Sequence, residues 1–121
     1  MPVRSLSSSV FKWPDAREVN RAVRRWASQM MREHLEVVRI GYFGSYARGD
    51  WGVGSDLDLV VVVRKSDQPF LRRAIDYDAT GLTVPTDVLV YTEEEWEALR
   101  QGQFIQTLER EVIWLYSEGD S

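Results

Sequence analysis

The chain is 121 residues long, which is enough for one domain (residues 1–121) with a single core and too few for two. Its apolar fraction of 44% and charged fraction of 28% are those of a folded globular domain, and its formal net charge of −4 argues against a dedicated nucleic-acid-binding surface. It contains no cysteine, which excludes disulfides, thiolate zinc sites and cysteine nucleophiles. No apolar run is long enough to span a membrane and no secretory signal is recognisable, so we expect a cytoplasmic protein with no membrane partner.

The first predicted element is a long amphipathic helix. Residues 1–12 are rich in serine and are expected to form a loose arm. Asp15 and Glu18 then have the spacing of a capping box, which marks a helix start. The apolar stripe at helical spacing comprises Ala16, Val19, Val23, Trp26, Met30 and Val37. Most arginines between Arg17 and Arg32 fall outside this stripe, so the helix should have a basic outer face.

Two predicted strands follow, separated by a turn and a loop. Residues 37–43 form a short apolar run that ends at Gly44, which indicates a strand and a turn. Residues 45–48 are expected to make a single helical turn, and residues 51–54 a loop with two glycines. Residues 57–63 are rich in β-branched side chains and predict a buried strand.

The remainder of the chain is predicted to contain three helices and one more strand. Pro69 marks the start of the first of these helices, and residues 87–91 form the third strand. The apolar face of that helix would comprise Leu71, Ala74 and Ile75. Thr92 and Glu95 form a second capping box, which opens a helix that Gly102 closes. The apolar side of a final helix would comprise Phe104, Ile105, Leu108, Val112 and Leu115.

This order predicts an α/β (α+β) fold in which helices flank a small mixed β-sheet. The short link between the first two strands favours antiparallel pairing, and the helical crossover to the third favours parallel pairing. The end of the first strand should then meet the starts of the other two. The residues collected at that junction are Gly44, Ser45, Asp56, Asp58 and Asp87.

The aspartates at this junction are suited to a divalent metal. Asp56 and Asp58 are two residues apart at the head of a strand, so their side chains share one face, about 6–7 Å apart along the backbone. Such carboxylates repel each other unless a cation or proton lies between them. Oxygen ligands alone favour Mg²⁺ or Mn²⁺ over zinc, and Asp87 can complete a three-carboxylate cluster. Two metal ions in such a cluster are the arrangement used for in-line displacement at phosphorus.

The turn beside the aspartates is suited to phosphate. Gly44 allows the backbone to approach an anion closely, and the Ser45 hydroxyl and nearby N–H groups can hold phosphate oxygens. Arg48 lies one helical turn further on and can direct its guanidinium to the same phosphates. Together these groups would stabilise the charge that develops on a transferring phosphoryl group.

The segment that carries these residues resembles a known family. Gly44-Ser45, followed after ten residues by Asp56-Leu57-Asp58, resembles the signature of the DNA polymerase β-like nucleotidyltransferase superfamily. The longer strings FGSYARG (residues 43–49) and SDLDL (residues 55–59) are similar to its minimal nucleotidyltransferase branch. The resemblance covers residues 38–91, and the flanking helices match only in layout.

The resemblance implies a nucleotidyltransferase fold and a role for each matching residue. Asp56 and Asp58 would bind the metals, and Asp87, in the string TDVLV, would supply the third carboxylate from a later strand. The Gly44-Ser45 pair would contact the nucleoside triphosphate. The implied reaction moves a nucleoside monophosphate, with ATP as the expected donor and Mg²⁺ or Mn²⁺ as cofactor, to an acceptor hydroxyl.

The size of the chain bears on its partners. Larger relatives carry extra domains that select the base and the acceptor, and this chain has little room for one. A protein partner or self-association is therefore expected to supply part of the site. Stand-alone members of the minimal branch often act as antitoxins to helical HEPN-type toxins, so a tyrosine hydroxyl of such a partner is an implied acceptor.

Plainer interpretations of the same residues stay open. An Asp-x-Asp pair alone is most often a solvated strand end, and a Gly-Ser pair is usually only a turn. Asp87 could simply begin a strand, and Arg48 could pair with Asp50 or with a helix carboxylate. Trp51 could cover a nucleotide base or anchor its loop, and His34 is given a helix-end position without a catalytic role.

Other functions also compete with nucleotidyl transfer to a partner. A non-catalytic antitoxin or binding module could neutralise a partner by contact alone. A small-molecule nucleotidyltransferase of the aminoglycoside-modifying type is a third option, although no second substrate domain is evident. A polymerase role is least favoured because the chain is acidic.

Overall fold

A computed structural model of the chain describes residues 15–49, 52, 56–82, 84–102 and 110–117. The arm expected at residues 1–12 lies outside the described residues. In chain order the elements are α1 (Ala16–Glu33), β1 (Val37–Phe43), α2 (Ser45–Arg48), β2 (Leu57–Val63), α3 (Phe70–Arg73), a 3₁₀ turn (Ala74–Asp76), β3 (Thr86–Thr92), α4 (Glu93–Arg100) and β4 (Ile113–Ser117).

The two predicted helix starts are confirmed by their caps. The side chain of Asp15 accepts a hydrogen bond of 2.9 Å from the Glu18 N–H at the start of α1. At the start of α4, the Thr92 hydroxyl accepts from the Glu95 N–H, while the Glu95 carboxylate accepts from the Thr92 N–H. Each cap satisfies backbone donors that the first helical turn leaves without partners.

The predicted small mixed sheet flanked by helices is confirmed. The described strands form one sheet in the order β3-β2-β1-β4. β1 pairs antiparallel with β2, and β2 pairs parallel with β3, as the lengths of their connections predict. β4 pairs antiparallel with the other side of β1.

Apolar residues cover both faces of this sheet. On one face, α1 packs its buried side chains against Leu57, Leu59, Val61 and Val63 of β2. On the other face, Val60 and Val62 of the same strand pack with Trp96 of α4. The alternation follows from the two-residue period of a strand, and it explains why β2 is an almost uninterrupted apolar run. Within the described part of the chain, no helix combines the length and apolarity that crossing a membrane requires.

The predicted final helix is wrong over its last part. Residues 113–117, which include Leu115, form strand β4, and Val112 precedes it outside any helix. Residues 110 and 111 are helical, and the earlier positions Phe104, Ile105 and Leu108 lie outside the described residues. The physical reason is the open edge of β1, where pairing satisfies the backbone of an apolar segment that local spacing alone reads as helical.

Gly41 of β1 allows β4 to approach β1 closely. A Cβ atom at Gly41 would lie 2.8 Å from the Ile113 carbonyl oxygen and 2.8 Å from the Trp114 ring. Only a residue without a side chain leaves room for β4 at this point.

The predicted apolar face of the helix after Pro69 is also wrong. Leu71 and Ile75 have 87% and 72% of their surface exposed, whereas Arg73 between them is buried at 8%. Arg73 donates hydrogen bonds to both oxygens of the Glu95 carboxylate and to the Val90 carbonyl oxygen. Because these acceptors come from β3 and α4, they turn the helix away from the orientation that its apolar residues suggest.

Candidate active site

Three segments of the chain converge where the sequence predicts the site. β1 ends at Phe43, which pairs with Asp58 of β2, and Asp58 pairs with Asp87 of β3. Paired residues on adjacent strands lie about 4.8 Å apart. Asp58 is therefore the central member of the row, with the Gly44 turn on one side and Asp87 on the other.

The carboxylates differ in exposure. Asp58 is half-buried, whereas Asp87 and Asp56, which immediately precedes β2, are exposed. Burial raises the pKa of Asp58, and the negative charges of Asp87 and Asp56 raise it further. The positive charge of Arg48 acts in the opposite direction. Asp56 and Asp87 thus both lie close enough to Asp58 for their negative charges to act on it.

Gly44 adopts a conformation that brings the turn against Asp58. Its φ of 86° lies in the left-handed region that favours glycine, and its carbonyl accepts from the Ala47 and Arg48 N–H groups at 3.0 Å. A Cβ atom at this position would lie 2.7 Å from Oδ2 of Asp58. The predicted helical turn, α2, begins at Ser45, so the structure brings this hydroxyl residue to the same corner.

Arg48 has a neighbour that the sequence did not indicate. Its Nη1 lies 3.7 Å from Oε2 of Glu111, and the arginine and glutamate side chains are 44% and 32% exposed. Glu111 is one of the two described helical residues that precede β4, so the contact agrees with the expectation that Arg48 could pair with a helix carboxylate, although the sequence did not identify which one. Asp50 and Trp51 lie outside the described residues. No local pattern could have found Glu111, because only the pairing of β4 with β1 brings it here.

His34 lies at the opposite end of β1 from Asp58. It caps the C-terminus of α1, its Nδ1 is 3.3 Å from Oε2 of Glu36, and its ring centroid is 4.5 Å from that of Tyr77. These contacts give it the helix-end position expected from the sequence.

The carboxylate oxygens around Asp58 are suitable ligands for a hard divalent cation. Their present positions, however, do not form a metal site within the described part of the chain. The available ligands are carboxylate oxygens, which Mg²⁺ and Mn²⁺ prefer. Among the residues that the structure describes, however, no group of three carboxylate or imidazole side chains converges closely enough to hold a metal ion as placed. Metal binding would therefore require the exposed side chains of Asp56 and Asp87 to turn toward Asp58.

Comparison with known proteins identifies the family. A model of the nucleotidyltransferase domain family matches residues 24–115. No curated protein sequence matches the chain significantly. A crystal structure of a Sulfolobus solfataricus protein, provisionally assigned as a nucleotidyltransferase, is similar with a TM-score of 0.66 and 15% identity, covering 88% of this chain and 86% of that one. A toxin–antitoxin crystal structure with AMP-PNP is similar with a TM-score of 0.55 and 19% identity, covering 79% of this chain and 74% of that one.

The match to the family model identifies the chain as a nucleotidyltransferase. Because the family model spans most of the chain, including all three aspartates, the chain belongs to the nucleotidyltransferase domain family. The two structures are too distant in sequence to show more than the shared fold.

Proposed function

We propose that this enzyme transfers AMP from ATP to an acceptor hydroxyl with Mg²⁺, or Mn²⁺, as cofactor. The observation that carries the proposal is the position of Asp58, held between the Gly44 turn and Asp87 and close to Asp56. A pure binding surface has no need of three repelling carboxylates, whereas a metal site does.

The carboxylates would divide the work as follows. Asp56, Asp58 and Asp87 would hold the metal, which when bound would neutralise negative charge on the nucleotide phosphates. Asp87, at the outer strand of the three, would also accept the proton of the acceptor hydroxyl. Ser45 and the Gly44 turn would hold the triphosphate, with Arg48 assisting.

The reaction balances without any further reactant. The acceptor oxygen forms a bond to the α-phosphorus of ATP, and the bond from that phosphorus to the oxygen bridging to the β-phosphate breaks. Pyrophosphate leaves with the bonding electrons, and the hydroxyl proton passes to Asp87. The product is an AMP ester of the acceptor.

A protein is the acceptor that we favour. By its resemblance to the minimal branch, the chain would act as the antitoxin of a HEPN-type toxin and modify a hydroxyl of that partner. Support comes from the similar toxin–antitoxin structure with AMP-PNP, in which the fold occurs together with a nucleotide analogue. Self-association is the other way in which the site could be completed.

Intact-mass spectrometry tests the proposal directly. The chain is incubated with ATP and Mg²⁺, with and without the protein encoded beside it. We expect the neighbour to gain one or more AMP units, and we expect the Asp56→Asn, Asp58→Asn double variant to add none. Full activity of that variant would show that the carboxylates have been assigned the wrong role.

A non-catalytic antitoxin is the second candidate, and one observation favours it. As placed, the described carboxylates do not form a ready metal site. If the double variant neutralises the partner as well as the wild type does, and no AMP is added by either, contact alone is the function.

A further inference from the structure

In the part of the chain that the structure describes, no strand pairs with the outer edge of β3 beside Asp87. The Leu57 N–H donates to the Pro85 carbonyl oxygen at 2.8 Å, which fixes the alternation of the parallel pair. Asp87 therefore directs its N–H and C=O groups toward β2, and Thr86, Val88 and Val90 direct theirs outward. Because β3 ends the described sheet, these outward groups have no strand beside them among the described residues.

Arg73 occupies one of the outward backbone groups of this edge, toward the end of β3 that is farther from Asp87. Its Nη1 donates to the outward Val90 carbonyl oxygen at 3.2 Å. Among the described residues, none donates to or accepts from the backbone of Thr86 or Val88 on the outer side. Besides the Val90 N–H, the outward groups without a described partner are those of Thr86 and Val88, on either side of Asp87.

A groove runs along this part of the edge. It has a volume of about 530 Å³, with Thr86, Asp87 and Val88 on one side and residues 74, 75 and 77–80 on the other. Ile75 lines it and is 72% exposed. The groove thus combines apolar surface with free peptide groups and leads to Asp87.

The order of the strands makes this the acceptor side. The triphosphate-holding turn at Gly44 follows β1, Asp58 is on the central strand, and Asp87 is on the far side. In-line displacement places the attacking oxygen and the leaving pyrophosphate on opposite sides of the phosphorus. With pyrophosphate held at Gly44, the acceptor hydroxyl comes from the β3 side.

We infer that the acceptor is a hydroxyl side chain on an extended polypeptide segment, which adds to the edge of β3 at Thr86 and Val88 with an apolar neighbour against Ile75. This inference rests on the proposed function and names the class of acceptor. Peptide backbone is the chemistry that matches alternating N–H and C=O groups on a sheet edge, and pairing there aligns the segment with Asp87.

Peptides provide the probe. Short synthetic peptides with one Tyr, Ser or Thr, flanked by either aliphatic or polar residues, are tested with labelled ATP and Mg²⁺ for AMP incorporation. We expect the aliphatic peptides to be modified preferentially, and N-methylation of backbone amides beside the acceptor to reduce modification at least tenfold. Equal modification of all peptides, insensitive to N-methylation, would overturn the inference.

The matched variants are Ile75→Asp and Leu35→Asp. Both side chains are exposed, at 72% and 82%, so neither change should disturb the fold. Leu35 precedes β1, at the end of that strand opposite Asp58. We expect Ile75→Asp to raise the KM for aliphatic peptides at least fivefold with kcat little changed, and Leu35→Asp to leave both constants unaltered. Equal effects of the two variants would contradict the proposal that the peptide binds in the groove beside Ile75.

Binding without nucleotide separates the inference from the proposed function. Fluorescence anisotropy of labelled aliphatic peptides reports docking in the absence of ATP. Peptide binding that Ile75→Asp weakens, without transfer to any acceptor, would uphold the edge site and refute the transfer reaction. Transfer to other acceptors, with no peptide bound or modified, would uphold the reaction and refute the edge site.

Discussion

At the residue scale, the contact between Gly44 and Asp58 determines how the turn after β1 meets the central carboxylate of the candidate site. Gly44 has a φ of 86°, and its missing side chain leaves Asp58 Oδ2 in the space that a Cβ would enter. Gly49, at the other end of α2, has a similar φ of 88° but no atom within 4 Å of its would-be Cβ. Gly49 therefore offers a comparison for a positive φ without contact with the site, although its ψ of 6° differs from the −154° of Gly44.

We predict that Gly44→Ala costs more stability than Gly49→Ala and that only Gly44→Ala strongly reduces activity. Gly49→Ala places alanine in the left-handed α region, which costs about 1–2 kcal/mol, whereas the φ of 86° and ψ of −154° at Gly44 belong to a region that essentially only glycine adopts. Only Gly44→Ala pushes against Asp58, and a displacement of about 1 Å at a catalytic group can reduce the rate about 100-fold. Urea unfolding and kcat/KM for AMP transfer measure the two effects. A loss of activity in Gly49→Ala as large as that in Gly44→Ala would mean that turn rigidity, not the Asp58 contact, matters.

At the element scale, the Arg73–Glu95 pair joins α3 to α4 across β3. The buried guanidinium donates to both oxygens of a carboxylate that also belongs to the cap of α4. The hydrogen bond from Arg73, together with that from the Thr92 N–H, lowers the pKa of Glu95 from 4.5 to about 2. One side chain thus serves both a helix start and an interelement ion pair.

We predict that Glu95→Gln lowers the free energy of unfolding by about 1–2 kcal/mol at neutral pH, less than a fully buried pair would give, because Glu95 is 41% exposed. Since the folded pKa is depressed, this contribution is complete above the unfolded value of 4.5 and disappears as pH falls through about 2. The difference between wild type and variant should therefore shrink over that range in urea unfolding at successive pH values.

Glu97→Gln is the control for this ion pair. Glu97 pairs with Arg100 at 3.0 Å three residues along the same helix, and both side chains are exposed. The change should cost no more than about 0.5 kcal/mol. A pH-independent effect of Glu95→Gln would indicate that lost packing, not charge, explains its destabilisation.

Comparison of particular elements shows which features local sequence can predict. The first helix and the strands around Asp58 follow from periodic apolar spacing and capping residues, which act within a few positions. The convergence of Gly44, Asp58 and Asp87 follows from the connection lengths alone, which is why it could be predicted before the structure. The strand β4 could not be predicted locally because it forms by pairing with the open edge of β1. The burial of Arg73 could not be predicted either, because its hydrogen-bond acceptors lie on distant elements. The contact of Arg48 with Glu111 depends on β4 and was missed with it.

At the scale of the whole molecule, one sheet carries an apolar cluster on each face. Because the two clusters share strand β2, one cannot unfold while the other stays intact. Leu59 faces α1 and is fully buried, while its neighbour Val60 faces Trp96 and is also fully buried. A single strand thus contributes alternate residues to both clusters, and we expect them to unfold as one unit.

We predict that Leu59→Ala destabilises both faces together. The cavity and lost transfer energy should cost about 2–5 kcal/mol. Leu35→Ala, at an exposed leucine, should cost no more than about 0.5 kcal/mol. Hydrogen exchange under mild denaturant would report the amides of α1 and α4 separately. Loss of protection in α1 with α4 unaffected would show that the clusters are independent.

The hydrogen bond from Arg73 to the Val90 carbonyl also limits aggregation through the edge of β3. A sheet edge that is open along its whole length invites another such edge and can seed fibrils. Arg73 occupies the Val90 carbonyl, so among the described residues the stretch whose outward N–H and C=O groups both have no partner is confined to Thr86–Val88. Cross-β zippers are built from segments of roughly six or seven residues, which this stretch does not reach. The edge can therefore pair with one short peptide segment but is too short to support the growth of a fibril.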